Sequence, residues 1–207
     1  LAIRSLTGAA MISLALGASF LGGNVFAILV AAAATMMFYE WTRIVRGWNA
    51  AWYASGFIYA LLPALALLWI RERDAQGLFL LLWVFIVTWS TDIGAYFAGS
   101  NFGRRKLAPS ISPNKTIEGL AGGIAAAALV GGAWVMATGL GQALVVLAPL
   151  FAVTAQAGDL LESWMKRRAG VKDSGDWLPG HGGILDRLDG LVPVAVLTAL
   201  AQFGGLT

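Results

Sequence analysis

LFLLLWVFIVTWSTDIGAYFA, residues 78–98, carries one acidic side chain, Asp92, and no basic one. As an α-helix rising 1.5 Å per residue it reaches about 30 Å, the thickness of a bilayer's hydrocarbon core. Similar apolar runs lie on both sides of it, over 5–21, 25–39, 50–70, 117–138, 143–157 and 188–203. The whole chain of 207 residues is 58% hydrophobic and only 12% charged, with a mean hydropathy of +0.75. Soluble domains carry about 25% charged residues. The runs are continuous blocks, not short alternating strands, so they predict helices and not a barrel. The expectation is an all-α integral membrane protein with about seven transmembrane helices, forming one membrane domain over 1–207. The chain opens on Leu1 instead of Met, which predicts that residues of the full protein precede it. The first run is followed almost at once by a second, with no A-x-A-like site leading into a soluble domain, so it reads as a membrane helix and not a signal peptide.

Orientation follows from the basic residues. With a cytoplasmic N-terminus and alternating spans, the inner segments hold Arg4, Arg43, Arg46, Arg104, Arg105, Lys106, Lys115, Lys166, Arg167, Arg168, Lys172 and Arg187, which is 12 of the 14. Only Arg71 and Arg73 stay outside. The positive-inside rule selects this orientation and places the polar loops near 99–115 and 158–187 in the cytoplasm, where nucleotides are. The expected location is the cell membrane, multi-pass. Gly119, Gly122, Gly123 and Ala126 have a spacing that suits close helix packing.

The chain has no cysteine and one histidine, His181. That excludes disulfides, thiolate metal sites, cysteine nucleophiles and multi-histidine zinc sites. Carboxylates are the remaining chemistry. Six of the 11 acidic residues, Asp159, Glu162, Asp173, Asp176, Asp186 and Asp189, fall in one 31-residue window with the histidine and five basic residues. Asp159, Glu162, Ser163 and Lys166 follow i, i+3, i+4, i+7, one stripe of a helix, and Asp186 and Asp189 share a face at i, i+3. Carboxylates at the edge of a membrane helix are costly unless paired with a cation. An oxygen-rich set of this kind suits magnesium, with phosphates completing the shell. Helix capping and ion pairing with Lys166, Arg167 and Arg187 is the equally weighted alternative. Asp92, inside a span, is a functional candidate by default, its alternative being a buried hydrogen bond to a neighbouring helix.

Before the fifth run, residues 110–119 read SISPNKTIEG. Ser112 suits an N-cap and Pro113 a first helical position. A helix start there favours an anion, and Lys115 and Thr116 add a charge and a hydroxyl. Taken alone, these residues read first as a capped helix with a snorkelling lysine. Gly180, Gly182 and Gly183 flank His181, and glycines let backbone approach a ligand, or simply turn.

Residues 163–189 together are more specific. Ser163, Lys166, Arg167, Lys172 and Asp173 precede Leu178-Pro179-Gly180-His181-Gly182-Gly183-Ile184-Leu185-Asp186-Arg187-Leu188-Asp189. This long pattern of fixed spacing resembles the signature of the phosphatidate cytidylyltransferase (CDP-diglyceride synthetase) family. The 112–119 segment resembles a second motif of that family, and the segment around Asp92 and Tyr96 is similar as well. The strong resemblance covers about 88–190, the expected catalytic part. It implies that CTP and phosphatidate give CDP-diacylglycerol and pyrophosphate, with Mg2+ as cofactor, alone or with a second cation. It implies Asp159, Asp186 and Asp189 as ligands of the catalytic cation, supported by Glu162 and Ser163. Lys166, Arg167 and Lys172 would bind phosphates. His181, Gly182 and Gly183 would shape the nucleotide pocket, Ser112, Lys115 and Thr116 would contact phosphate, and Asp92 would belong to the same substrate-binding set. Arg187 is assigned to pairing with the aspartates. Partners are then CTP, phosphatidate, membrane lipid and, by family precedent, a second copy of the chain; no nucleic acid is implied.

Two other classes compete. A transporter using Asp92 and the acidic helix ends as an ion path leaves unexplained why basic and acidic groups cluster at one cytoplasmic mouth. A CTP-dependent lipid or polyprenol kinase would release CDP in place of pyrophosphate. The Asp-Gly-x-x-Ala-Arg motif of CDP-alcohol phosphotransferases is not present, because Asp189-Gly190 runs into Leu191, Val192 and Pro193.

Overall fold

The computed structural model describes residues 2–207 apart from Asp74, Pro179 and His181, and the side chains from Ser5 onward. His181, expected in the nucleotide pocket, therefore lies outside the described residues. The helices are α1 (Ala2–Leu21), α2 (Gly23–Ile44), α3 (Ala50–Glu72), α4 (Gly77–Phe102), α5 (Ile117–Thr138), α6 (Ala143–Arg168), the single turn α7 (Leu185–Leu188) and α8 (Leu191–Phe203). Five of them, α2 to α6, are long and apolar enough to cross a membrane; α1, over Ser5–Leu21, and α8 are shorter apolar helices. The protein is a predominantly helical, multi-pass membrane bundle.

α4, the helix of the 78–98 run, is the central one. Leu81, Trp83, Val84 and Val87 are fully buried on it. The Trp83 ring lies edge-on to Phe151, 5.7 Å between centroids, and its indole N–H donates to the Gly131 carbonyl at 3.2 Å. Large apolar side chains such as Leu14, Ile28, Leu129, Val146, Leu200 and Phe203 are exposed on the outside of the bundle, a surface that suits lipid and not water.

The close packing expected of the small residues on α5 is present, and its partner is α4 of the same chain. A Cβ on Gly123 would come within 2.7 Å of the Thr91 carbonyl, and one on Gly119 within 2.9 Å of the Ala95 carbonyl. The helices touch backbone to backbone, which holds Asp92 beside α5. Gly132, one face round, has room, its nearest neighbour being 3.5 Å away. Gly123→Ala is therefore expected to lower stability by about 1–3 kcal/mol through overpacking. Gly132→Ala should change it by less than about 0.5 kcal/mol. Thermal midpoints of the two variants in detergent compare them directly.

The two ends of the bundle differ. At one end α1 passes into α2 through Gly22 and Gly23, both at positive φ. Helix ends leave carbonyls and N–H groups without partners. Here the end of α3 supplies them: Arg71 Nε donates to the Ser19 carbonyl at 2.7 Å, and Glu72 Oε1 accepts from the Gly23 N–H at 3.0 Å. The other end gathers the C-termini of α2, α4 and α6 and the N-termini of α5 and α8, with their basic loops.

Two local expectations are corrected. Ser112 does not cap α5. Residues Ser112–Thr116 form a strand, β2, antiparallel to β1 (Lys106–Ala108), with Lys106 opposite Thr116 and Ala108 opposite Ser112. Pro113 is tolerated in this strand because a two-stranded ribbon consists of edges. The hairpin is closed by Glu118, whose carboxylate accepts from the Arg104 and Arg105 N–H groups. The cap is Thr116, whose Oγ1 accepts from the Gly119 N–H at 3.0 Å. The last helix also starts later than residue 188. Proline's ring clashes with the carbonyl four residues before it, and for Pro193 that is Asp189. The chain breaks there into α7 and α8, and the Asp189 carbonyl instead accepts from the Tyr59 hydroxyl at 3.5 Å.

Candidate active site

At the basic end a cavity of about 590 Å³ opens among α1, α4, β2, α5, α6 and the 186–189 segment. Small-molecule sites typically measure about 300–1,000 Å³. Its charged lining is Asp92, Lys115, Asp159, Asp186, Arg187 and Asp189, with Gln156 and Thr116 as polar neighbours and Met11, Ile12, Trp89 and Leu120 among the apolar ones.

Each side chain is delivered by a different local device. Lys115 projects from β2 and forms an ion pair with Asp159 Oδ2 at 2.6 Å, also donating to Gln156 Oε1 at 2.6 Å. Gln156 Nε2 donates onward to Asp92 Oδ1 at 3.3 Å. One chain of polar contacts thus ties α4, α6 and the hairpin together. Gln156, buried one turn before Asp159, was not singled out from sequence. An amide in an apolar run three residues before a carboxylate was the available signal. Ser163 donates to Asp159 Oδ1 at 3.3 Å.

A second network stands behind the first. Lys166 bridges Glu162 Oε2 at 2.6 Å and Asp186 Oδ1 at 2.5 Å. Asp186 Oδ2 accepts from the Ser174 N–H at 3.0 Å and the Gly183 N–H at 2.9 Å. Burial alone would raise the Asp186 pKa, but hydrogen bonds from its neighbours, the Lys166 ammonium and these two N–H groups outweigh it and hold the carboxyl well below the usual range. Lys166 is not part of the cavity lining, and its ammonium is committed to these two carboxylates.

The other expected residues are placed as follows. Arg167 is exposed and donates from Nε to the Ile111 carbonyl at 3.3 Å, holding the hairpin tip. Lys172 is exposed on the 169–184 loop. Ser112 pairs within the hairpin. Gly182, at φ 80, bridges Leu178, and a Cβ on it would come within 2.8 Å of Asp186 Oδ2. Asp189 lies on the cavity wall with Oδ1 accepting the Gly190 N–H at 2.7 Å.

The fit of a cation can be judged from this lining. Among the described lining residues four aspartates face two basic side chains, and the side-chain atoms suited to hold a metal are oxygens. An anionic wall repels an anionic ligand unless cations accompany it. Among the described residues, no three acidic or histidine side chains converge closely enough to enclose a metal by themselves. Magnesium is usually held by one or two carboxylates with substrate phosphates and water completing the shell, and Asp159 and Asp189 offer carboxylates on this wall.

Fold and cavity together define a class: a multi-pass helical membrane protein with its polar chemistry collected in one cavity at the basic end of the bundle. The sequence model of the Cytidylyltransferase family matches residues 45–203, and the chain belongs to that family. The phosphatidate cytidylyltransferase of Brucella suis is 48% identical over 181 residues, covering 86% of this chain and 64% of that protein. That of Bacillus subtilis is 49% identical over 123 residues, 58% of this chain and 46% of the relative. That of Pseudomonas aeruginosa is 38% identical over 185 residues, 83% and 66% respectively. The chain thus spans less than two thirds of the length of each.

Proposed function

We propose that the chain catalyses cytidylyl transfer from CTP to phosphatidate, giving CDP-diacylglycerol and pyrophosphate. The observation that carries this is the Lys115–Asp159 pair at the mouth of a carboxylate-lined cavity, in a chain of the Cytidylyltransferase family. A phosphatidate oxygen attacks the α-phosphorus of CTP, and the bond to the bridging oxygen of pyrophosphate breaks. The nucleophile is already ionised near neutral pH, so no base is needed. What the reaction needs is placement and charge neutralisation.

Asp159 and Asp189 are the proposed protein ligands of Mg2+, which would neutralise the triphosphate and the departing pyrophosphate; a second cation is accommodated by the same excess of carboxylates. Asp186, expected as a third ligand, has its oxygens engaged by Lys166 and two N–H groups, and it serves the site by holding Lys166, Ser174 and Gly183. Lys115 and Arg187 face the phosphates. Asp92, through Gln156, fixes the orientation of Lys115. The apolar wall at Met11, Trp89 and Leu120 accepts the lipid's glycerol and first methylenes. A neighbouring apolar cavity of about 250 Å³ shares Met11, Ala15 and Leu188 with this one and gives an acyl chain a path into the bundle.

The proposal includes seven spans, counting α1 and α8, with the basic end in the cytoplasm of a cell membrane, as the placement of Arg43, Arg46, Arg104, Arg105 and Arg168 at that end supports. A homodimer is part of the same reading. The test uses purified protein in detergent with phosphatidate, Mg2+ and CTP labelled at the α-phosphate. Label should enter the lipid phase with matching pyrophosphate, and a chelator should abolish both. CDP release without lipid-borne cytidylyl label would make the chain a kinase instead.

A further inference from the structure

Glu40, near the C-terminal end of α2, is fully buried and is outside the segment that the family match covers. Among the described residues it forms no ion pair with a lysine or arginine. It receives three hydrogen bonds from the loop between α6 and α8. Oε2 accepts from the Ser174 hydroxyl at 2.7 Å and the Leu185 N–H at 2.8 Å, and Oε1 accepts from the Ile184 N–H at 3.0 Å. Gly175 and Gly183 pack on the same carboxylate: a Cβ on Gly175 would lie 2.6 Å from Oε1, and one on Gly183 would overlap Oε2 and Ser174 Oγ.

These contacts converge with those of Asp186. Ser174 donates its hydroxyl to Glu40 and its N–H to Asp186, and Gly183 donates its N–H to Asp186 while resting on Glu40. The two carboxylates therefore clamp the two ends of the loop together, Glu40 from the membrane helix and Asp186 from within the loop. The cavity wall continues directly from this clamp, through Asp186, Arg187, Leu188 and Asp189.

We propose that Glu40 is a positioning residue for cytidylyl transfer: it pins Ser174, Ile184 and Leu185 to α2 and so fixes where Asp186 and Asp189 stand in the cavity, without touching substrate. The inference rests on the transfer reading given above. All three donors point at a carboxylate with no donor of its own, so an amide cannot replace it without setting one N–H against another. Glu40→Gln is therefore a sharp probe as well as Glu40→Ala.

The test measures kcat and KM for both substrates, with hydrogen exchange of the intact protein in detergent. Glu40→Gln should lower kcat about 30-fold, leave KM for phosphatidate within about threefold, and raise exchange of the Ile184 and Leu185 amides at least about tenfold. Ser174→Ala, the milder variant should Glu40 variants fail to fold, should lower kcat about fivefold alone and add nothing in a Glu40→Ala background. Folded Glu40→Gln with near-normal kcat, or an activity loss that only tracks the folded fraction, would overturn the proposal, as would additive Ser174 and Glu40 effects. If the unsubstituted protein transfers no cytidylyl group, the transfer reading fails; unchanged amide exchange in Glu40→Gln separately defeats the clamp.

Discussion

Asp159→Asn and Asp189→Asn are each expected to lower kcat for cytidylyl transfer by at least about 100-fold, while the folded bundle is kept. Both positions are on the cavity wall, and Asp159, although paired with Lys115, keeps 32% of its side chain exposed where Asp186 keeps 6%. They should differ in detail. Asp189→Asn leaves the Lys115–Asp159 pair intact, so its deficit should shrink as Mg2+ is raised. Asp159→Asn also removes the partner that holds Lys115 at 2.6 Å. Its KM for CTP should therefore rise as well, and extra Mg2+ should restore less. Asp186→Asn provides the contrast. Its oxygens hold Lys166, Ser174 and Gly183, so its loss should appear as faster loop exchange with little change in Mg2+ dependence. Turnover within about threefold of the parent in both Asp159→Asn and Asp189→Asn would remove them as cation ligands. A Mg2+ response confined to Asp186→Asn would restore Asp186 as a ligand.

The difference between those aspartates was only partly legible in the sequence. Hydropathy located the long helices because a 20-residue apolar block has few alternatives to spanning a bilayer. The small residues of the fifth run also read correctly as a packing face, since close approach of backbones needs missing side chains. Helical periodicity put Asp159, Glu162, Ser163 and Lys166 on one stripe. It could not divide the stripe into two networks, because the partners that divide it, Lys115 and Asp186, are 44 and 20 residues away. The same limit hid Glu40, whose partners lie more than 130 residues downstream. Ser112-Pro113 matched a helix-start pattern, but local pattern competes with pairing. The ribbon formed with Lys106–Ala108 extends the chain through Thr116 before the helix begins. Asp186 and Asp189 do share a face as their i, i+3 spacing predicts, because helical geometry persists through Asp189, whose N–H donates to the Leu185 carbonyl at 3.1 Å, and both line the cavity.

Lys166→Met should have the largest effect on stability. The ammonium is mostly buried between Glu162 and Asp186, whose side chains are 2% and 6% exposed. Its removal leaves two carboxylates facing each other out of water. Breaking a buried ion pair from one side costs about 3–5 kcal/mol, because the remaining charge is uncompensated. The expected result is a thermal midpoint in detergent lower by about 6–20 degrees, or failure to accumulate. Glu162 is the member whose removal should compensate, since its Oε1 is buried with no hydrogen-bond partner among the described residues. Lys166→Met/Glu162→Leu makes two of the three charged positions apolar, while Asp186 keeps the Ser174 and Gly183 N–H groups. Stability should return only in part, by the share due to Glu162, because Asp186 still stands in the pocket without its cation. Turnover should not return, because Asp186 has lost the cation that fixes its other oxygen. A double variant that regains both would show that the Lys166 network only holds the fold; one that regains neither would show that Glu162 is needed in its own right.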